Sequence, residues 1–399
     1  MKFQYDVGLI GGCGHVGLPL ALALADTGLR VLIYDIDHES VAKVTKGVMP
    51  FMEEAGPSTL KRVLKNHTLS VMDEPDHLGD CRFLVLIIGT PVDEHLNPSF
   101  NGIEKALERC LQFLRDGQIL ILRSTVFPGI SSHVQLFLED RGFRIPVAFC
   151  PERVAQGFSL REFREIPQIV SAFDQTTLEE VRRLFSRLSE EIIVLSPLEA
   201  ELAKLMTNAW RYIQFAAVNQ FYMIATEHGM DFSRILHACK YRYPRMAGMP
   251  GPGFAAGPCL VKDTMQLAAF CQNQFILGHS AMLVNEGFPF HLIRIIERKT
   301  PLEDKIVGIL GMAFKADSDD PRDSLSYKLR KLLSLKAKRV LCSDPYIQDS
   351  TFVPLETVLQ EAQVIFIGVP HRTYRELRRP PGKIWVDAWD CLSKVEEAS

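Results

Sequence analysis

One stretch near the start limits the possible folds more than any other: Val7-Gly8-Leu9-Ile10-Gly11-Gly12-Cys13-Gly14-His15-Val16-Gly17. It reads as a strand, then a glycine-rich turn, then a helix. In such a unit Gly12 permits the tight turn, Gly14 lets backbone approach a pyrophosphate, and Gly17 lets helix and strand pack closely. The phosphate rests against the free N–H groups and positive end of the helix. A second strand-like run, Arg30–Tyr34, leads into Asp35. A carboxylate there accepts hydrogen bonds from ribose hydroxyls and repels a 2′-phosphate, which favours NAD over NADP. Gly12, Gly14, His15, Val16, Gly17 and Asp35 are therefore the cofactor-binding candidates, and NAD is the expected cofactor. The competing reading is a plain turn followed by an exposed strand-end carboxylate.

Further strands are expected at Asp6–Ile10, Phe83–Ile88 and Gln118–Leu122, each nearly all apolar, as suits strands buried on both faces. Loops follow the last two, Gly89-Thr90-Pro91 and Ser124-Thr125-Val126-Phe127-Pro128-Gly129. Open α/β sheets bind ligands at strand ends, so Thr90 and Thr125 can offer hydroxyls to cofactor or substrate. From about Leu178 to Arg298 helical spacing takes over, above all from Leu198 to His228 with Gly229 as a stop. A Pro/Gly-rich segment, Tyr243–Pro258, interrupts it. After Pro301 the α/β rhythm returns at Ile306–Leu310, Arg339–Cys342, Val364–Ile367 and Ile384–Val386.

The run Arg30–Asp35 is echoed by Arg339–Asp344, and Ile87–Pro91 by Ile367–Pro370. Either two related α/β domains or shared composition explains this. The expectation is an α/β chain of two Rossmann-like doubly wound domains joined by a central helical region, divided at 1–197, 198–300 and 301–399.

Composition removes other classes. Of 399 residues, 47% are hydrophobic and 23% charged, which excludes disorder as the main state. Lys and Arg total 45 against 48 Asp and Glu, so neither nucleic acid nor an anionic membrane is an expected partner. The longest apolar run, Phe83 to Ile88, is far short of the ~20 residues that span a bilayer, and the segment before the glycine turn is not expected to be a cleavable leader. Nine scattered cysteines suit a reducing cytoplasm. No metal site is expected.

In Gly257-Pro258-Cys259-Leu260-Val261-Lys262-Asp263, Cys259 opens a helix, where a thiol becomes a better nucleophile. Asp263 projects from the same helical face four residues later. Lys204 and Asn208 are also four apart on a helix, an ammonium and an amide able to stabilise an oxyanion. Bland readings compete: a core thiol for Cys259, a solvated face for the Lys/Asn pair. Glu152, after the β-like run ending at Phe149, can relay protons or serve structure.

Taken in order, these segments resemble the UDP-glucose/GDP-mannose dehydrogenase family across nearly the whole chain. The matches are the Gly12–Gly17 turn, Gly89-Thr90-Pro91, Ser124-Thr125-Val126, Pro151-Glu152-Arg153, the Lys204/Asn208 helix and Gly257-Pro258-Cys259 through Asp263. Gly311-Met312-Ala313-Phe314-Lys315 and Asp319–Ser324 complete the series. The resemblance implies an N-terminal NAD domain, a central helical region that forms a homodimer, and a C-terminal domain that holds the nucleotide of a nucleotide-sugar substrate. It implies NAD-dependent four-electron oxidation of the sugar C6 hydroxyl to the uronate, with Cys259 carrying a thiohemiacetal and then a thioester.

The resemblance also implies roles. Lys204 and Asn208 stabilise oxyanions and touch substrate, Asp263 is a partner in water activation, and Glu152 does acid–base work and touches substrate. Thr125 positions water. Lys262 and Arg322 contact cofactor, while Gly257, Phe314, Lys315 and one of Arg242 or Arg245 contact substrate. This chain has His15 where many relatives are aromatic, Ala256-Gly257 where they carry Gly-Gly, Pro258 before the thiol, and Gln156 where UDP-glucose oxidisers often have Glu. UDP-glucose is the first expected substrate. The alternatives are a UDP-N-acetylhexosamine, TDP-glucose or GDP-mannose, a two-electron hydroxyacid dehydrogenase of the 6-phosphogluconate type, and a non-catalytic NAD or sugar-nucleotide sensor.

Overall fold

A strand that is apolar on both faces must be covered on both faces. β1 (Tyr5–Ile10) buries every residue except Asp6, and in the computed structural model, which describes residues 3–89, 101–377 and 379–392, parallel strands flank it on both sides. The chain divides after Thr207 into two compact units. In the first, β1 is followed by α1 (Gly17–Asp26), β2 (Val31–Tyr34), α2 (His38–Thr45), α3 (Gly56–Lys65), β3 (Leu69–Met72), β4 (Cys81–Leu86) and α4 (Asn101–Cys110). Then come β5 (Ile119–Leu122), α5 (Ile130–Asp140), β6 (Val147–Phe149), α6 (Ser159–Glu165), β7 (Gln168–Ala172), α7 (Gln175–Phe185) and β8 (Ile192–Val194). The long α8 (Pro197–Glu227) runs through the division.

The strands of this unit are ordered β3-β2-β1-β4-β5-β6-β7-β8, all parallel except for the antiparallel β6–β7 pair. Side chains alternate between two apolar layers: Val85 packs with Leu18, Leu22 and Val181 on one face, Leu84 and Leu86 with Leu107 and Val134 on the other. Between β1 and β4 the strand order reverses, and a crevice opens beyond the strand ends at such a point. The expected strand Phe83–Ile88 starts earlier, at Cys81, and ends at Leu86.

The second unit continues through α9 (Phe232–Lys240), α10 (Leu260–Phe270), α11 (Ile276–Glu297), β9 (Ile306–Leu310), α12 (Leu325–Ser334), β10 (Arg339–Ser343), α13 (Leu355–Glu361), β11 (Val364–Ile367) and β12 (Ile384–Val386). Gly229 ends α8 as expected: its φ of 68° is left-handed, and Met230 N reaches back to Ala225 O at 2.9 Å. The sheet is β10-β9-β11-β12, all parallel.

That order repeats β2-β1-β4-β5, and the echo in the sequence extends to individual hydrogen bonds. Gly11 N donates to Tyr34 O at 2.8 Å, and Gly311 N to Ser343 O at 2.9 Å. Gly11 and Gly311 have φ of 79° and 92°. Asp35 accepts from Cys13 N at 2.8 Å, while Asp344 accepts from Met312 N at 2.5 Å and Ala313 N at 3.1 Å. Two α/β sheets of one design explain this better than shared composition. They differ at the carboxylate. Asp344 is sealed by His371, whose Nε2 lies 3.1 Å from it with both side chains fully buried. Asp35 stays half-exposed.

Candidate active site

The dinucleotide turn is built as the spacing predicts, with one shift in role. The left-handed residue is Gly11, where a Cβ would strike Ile87 O at 2.2 Å, so Gly11 rather than Gly12 makes the sharp bend. A Cβ on Gly17 would meet Gly12 Cα at 2.7 Å, so helix and turn touch backbone to backbone. Nothing lies within 4 Å of a Cβ placed on Gly14. That open position at the start of α1 is where a pyrophosphate can approach, and these residues fit NAD.

Asp35 is held by two amides, Cys13 N on Oδ2 at 2.8 Å and Asp37 N on Oδ1 at 3.0 Å. Burial, reinforced by Asp35, pushes the Cys13 thiol up to about 12, so this cysteine is inert. Val16 precedes α1 in helical conformation. The His15 ring packs 4.1 Å from Phe51, and its Nδ1 lies 2.8 Å from Gln156 Nε2. The two departures His15 and Gln156 are thus each other's neighbours.

Thr125 is half-buried in the loop after β5, between well-fixed residues. Ser124 Oγ accepts from Ile88 N and donates to Ile88 O, both at 2.8 Å. Arg123 is fully buried and donates to Glu152 Oε2 at 2.5 Å, Cys150 O at 3.0 Å and Gln168 Oε1 at 3.0 Å, over the Phe185 ring at 4.8 Å. Glu152 Oε1 accepts from Arg153 N at 2.6 Å and Val154 N at 2.9 Å. Expected as a proton relay and substrate contact, Glu152 has every one of these bonds committed to protein. The geometry is that of an anchor for the loop after β6. Lys204 is half-buried on α8, and Asn208 follows one turn later in the same unbroken helix.

Sequence reasoning missed Arg123 and Glu53. A charge following four apolar strand residues was the available signal for Arg123. Glu53, 7% exposed, accepts from Gly157 N at 3.0 Å and Leu160 N at 3.1 Å at the start of α6. Burial holds its carboxyl above the ordinary range against these bonds.

In the second unit Cys259 is the N-cap residue of α10 and is exposed, as are Cys239 and Cys271; Cys391 is half-buried and the other five cysteines are buried. Asp263 N donates to Cys259 O at 2.8 Å. Fully buried, Asp263 takes the Asn208 amide on Oδ2 at 2.5 Å, while Lys262 Nζ lies 3.4 Å from Oδ1. The predicted Asn208, Cys259, Lys262 and Asp263 thus come together.

Gly257, φ 106°, donates to Asp323 O at 3.3 Å, and a Cβ on it would strike the Phe314 ring at 2.7 Å. Lys315 Nζ lies 5.8 Å over that ring. Arg322 is fixed on Asp320 by Nε at 2.9 Å and Nη2 at 2.5 Å. This hydrogen bond chiefly holds Arg322 above the ordinary arginine range, with Cys259 a smaller contributor. Asp317 and Asp323, both at φ 52°, bend the same loop through the left-handed region, a strain typical of functional segments.

Arg242 and Arg245 lie on an exposed segment, stacked over Tyr241 and Tyr243 at 5.3 and 4.8 Å. Thr90 falls outside the described residues. A separate cavity of about 560 Å³ in this unit is lined by Tyr222, Lys240, Arg379, Asp387 and Trp389 among others, and contains none of the predicted site residues. Among the described residues no group of three or more His, Cys, Asp or Glu is placed to hold a metal ion, and no helix is long and apolar enough to cross a membrane.

Fold and turn together mark a dinucleotide-dependent oxidoreductase. The UDP-glucose/GDP-mannose dehydrogenase family matches in three parts: its NAD binding domain over residues 6–189, its central domain over 198–286 and its UDP binding domain over 308–394. The chain belongs to that family. It is 28% identical over 378 residues to a UDP-N-acetyl-D-mannosamine dehydrogenase of Pyrococcus horikoshii, covering 92% of this chain and 90% of the relative. It is 26% identical over 389 residues to an NDP-N-acetyl-D-galactosaminuronic acid dehydrogenase of Ralstonia nicotianae, covering 92% and 91%.

Among solved structures, the UDP-D-ManNAc dehydrogenase of Pyrococcus horikoshii superposes with a TM-score of 0.91 at 25% identity, covering 98% of this chain and 97% of that one. A UDP-glucose dehydrogenase from Pyrobaculum islandicum, at 24% identity and a TM-score of 0.88 over 97% and 94%, shares the fold.

Proposed function

We propose that the chain oxidises the C6 hydroxyl of a UDP-N-acetylhexosamine to the carboxylate, with Cys259 as nucleophile. The observation that carries this is an exposed thiol at the N-terminus of α10, one turn before the buried Asn208–Asp263 pair. UDP-glucose, the first expectation, gives way to the N-acetyl alternative because the relatives at 28% and 26% identity are named for N-acetylated sugars.

The glycine turn and Asp35 would hold NAD, which would supply the hydride acceptor for two successive oxidations. After the first, Cys259 Sγ bonds to the C6 carbonyl carbon, and Lys204 and Asn208 are assigned to stabilise the oxyanion that forms on its oxygen. Loss of hydride from this thiohemiacetal leaves a thioester. Water positioned by Thr125 adds to it, the C–S bond breaks, and the thiolate leaves. The net change is one alcohol, two NAD+ and one water giving one acid, two NADH and two protons. Asp263 holds Asn208 in place, and Lys262 and Arg322 are assigned to cofactor. Gly257, Phe314, Lys315 and one of Arg242 or Arg245 are assigned to the sugar nucleotide. Glu152 acts through Arg123 to shape the site.

The three-part division at 197 and 300 extends to function, and the family matches over 6–189, 198–286 and 308–394 support it. A cytoplasmic homodimer formed through α8 completes the reading. Trp210, Phe221 and Ile224 stand 59%, 48% and 51% exposed on that helix, too apolar a face to leave wet. The test is NADH production with UDP-N-acetylmannosamine, UDP-N-acetylgalactosamine, UDP-N-acetylglucosamine and UDP-glucose. One N-acetyl sugar should exceed UDP-glucose in kcat/KM. Preference for UDP-glucose would overturn the substrate assignment.

A further inference from the structure

A buried carboxylate that takes no part in the chemistry needs another reason to be there. Glu201 is 1% exposed and stands three residues before Lys204 on α8, on the same side of the helix. Its Oε2 accepts from Gly129 N at 2.6 Å, and its Oε1 from Ser131 N at 2.8 Å and Ser131 Oγ at 2.6 Å. Gly129 is the N-cap position of α5, where no side chain of its own caps the helix. The unpaired N–H groups and positive dipole end of a helix start suit a carboxylate, and one 70 residues away in sequence occupies this start.

The connection reaches beyond α5. Thr125 lies four residues before Gly129, and the near end of its loop is fixed by Arg123 and by Ser124 on Ile88. Glu201 fixes the far end, and does so from the helix that carries Lys204. We propose that Glu201 is a positioning residue that sets the distance between Thr125 and Lys204, so that the water and the oxyanion-stabilising ammonium hold their places during thioester hydrolysis. This rests on the roles proposed above for those two residues. A shift of about 1 Å in such groups costs up to about 100-fold in rate.

The test compares E201D, E201Q and E201A with T125A and K204A in the full-length protein. Tm, kcat, both KM values and the mass of the quenched, turning-over enzyme are measured well below each Tm. Shortening the side chain by one methylene should lower kcat about 10-fold and removing it about 100-fold, with the KM for NAD within about twofold of wild type. A covalent acyl adduct on Cys259 should accumulate, because hydrolysis is the delayed step. If E201A does not fold, E201Q, which retains one acceptor oxygen, carries the test. Lowered Tm with wild-type kcat and no adduct would make Glu201 a stability residue only and overturn the inference. Wild-type kcat in T125A and K204A would instead remove the roles it rests on, and the inference with them.

Discussion

Asn208 and Asp263 meet at 2.5 Å inside the second unit, joining α8 to the helix that Cys259 opens. An amide fixed in this way keeps its remaining hydrogen-bonding capacity aimed in one direction, which is what preorganised stabilisation of an oxyanion requires. D263N places a second amide against the first. It should lower kcat by about 10²–10³ while leaving Cys259 open to alkylation. Unchanged kcat would show that the pair only braces two helices.

The glycines of the first turn make separable predictions. Gly14→Ala meets no atom within 4 Å, so G14A should fold with wild-type Tm and lose NAD affinity. Gly17→Ala drives a methyl into Gly12 and should cost about 1–3 kcal/mol of stability. Calorimetric NAD titration and thermal melts of the two variants check this. Equal loss of Tm in both would contradict the assignment of roles.

Asp35 anchors on Cys13 N and Asp37 N and so presents its charge at a fixed place. D35N retains an acceptor but not the charge. Its kcat/KM for NADP relative to NAD should rise at least about tenfold, the equivalent of about 1.4 kcal/mol of repulsion removed. An unaltered ratio would place cofactor selection elsewhere.

The α/β rhythm was legible because buried parallel strands are apolar throughout: Ile306–Leu310, Val364–Ile367 and Ile384–Val386 fall where their runs predict. β3 and β8 were not, since Ser70 interrupts one and the other is a half-covered edge of three residues. The bend at Gly11 rather than Gly12 depends on how close Ile87 lies, which no local pattern records. Asn208, Cys259, Lys262 and Asp263 were visible as helical spacings. Glu53 and Glu201 were not, because a carboxylate capping a helix distant in sequence leaves no mark beside itself.

His291 supplies a pH test. Burial, aided by Arg294, lowers it from the ordinary 6.5 to about 4. The unfolded chain therefore binds a proton that the native state refuses, and stability falls as pH drops from about 6.5 towards 4. Between pH 7 and pH 5 the loss is about 2 kcal/mol. H291Q should flatten this limb in urea unfolding at the two pH values. An equal pH dependence in the variant would assign the loss to other groups.

The count of NADH formed per sugar consumed bears most directly on the role given to Cys259. Wild-type protein on its best UDP-N-acetylhexosamine should yield two NADH per sugar with no free aldehyde trapped by hydroxylamine, and C259A should fail to produce the acid. One NADH per sugar, or acid formation in C259A at the wild-type rate, would contradict a thiol that carries the substrate through both oxidations.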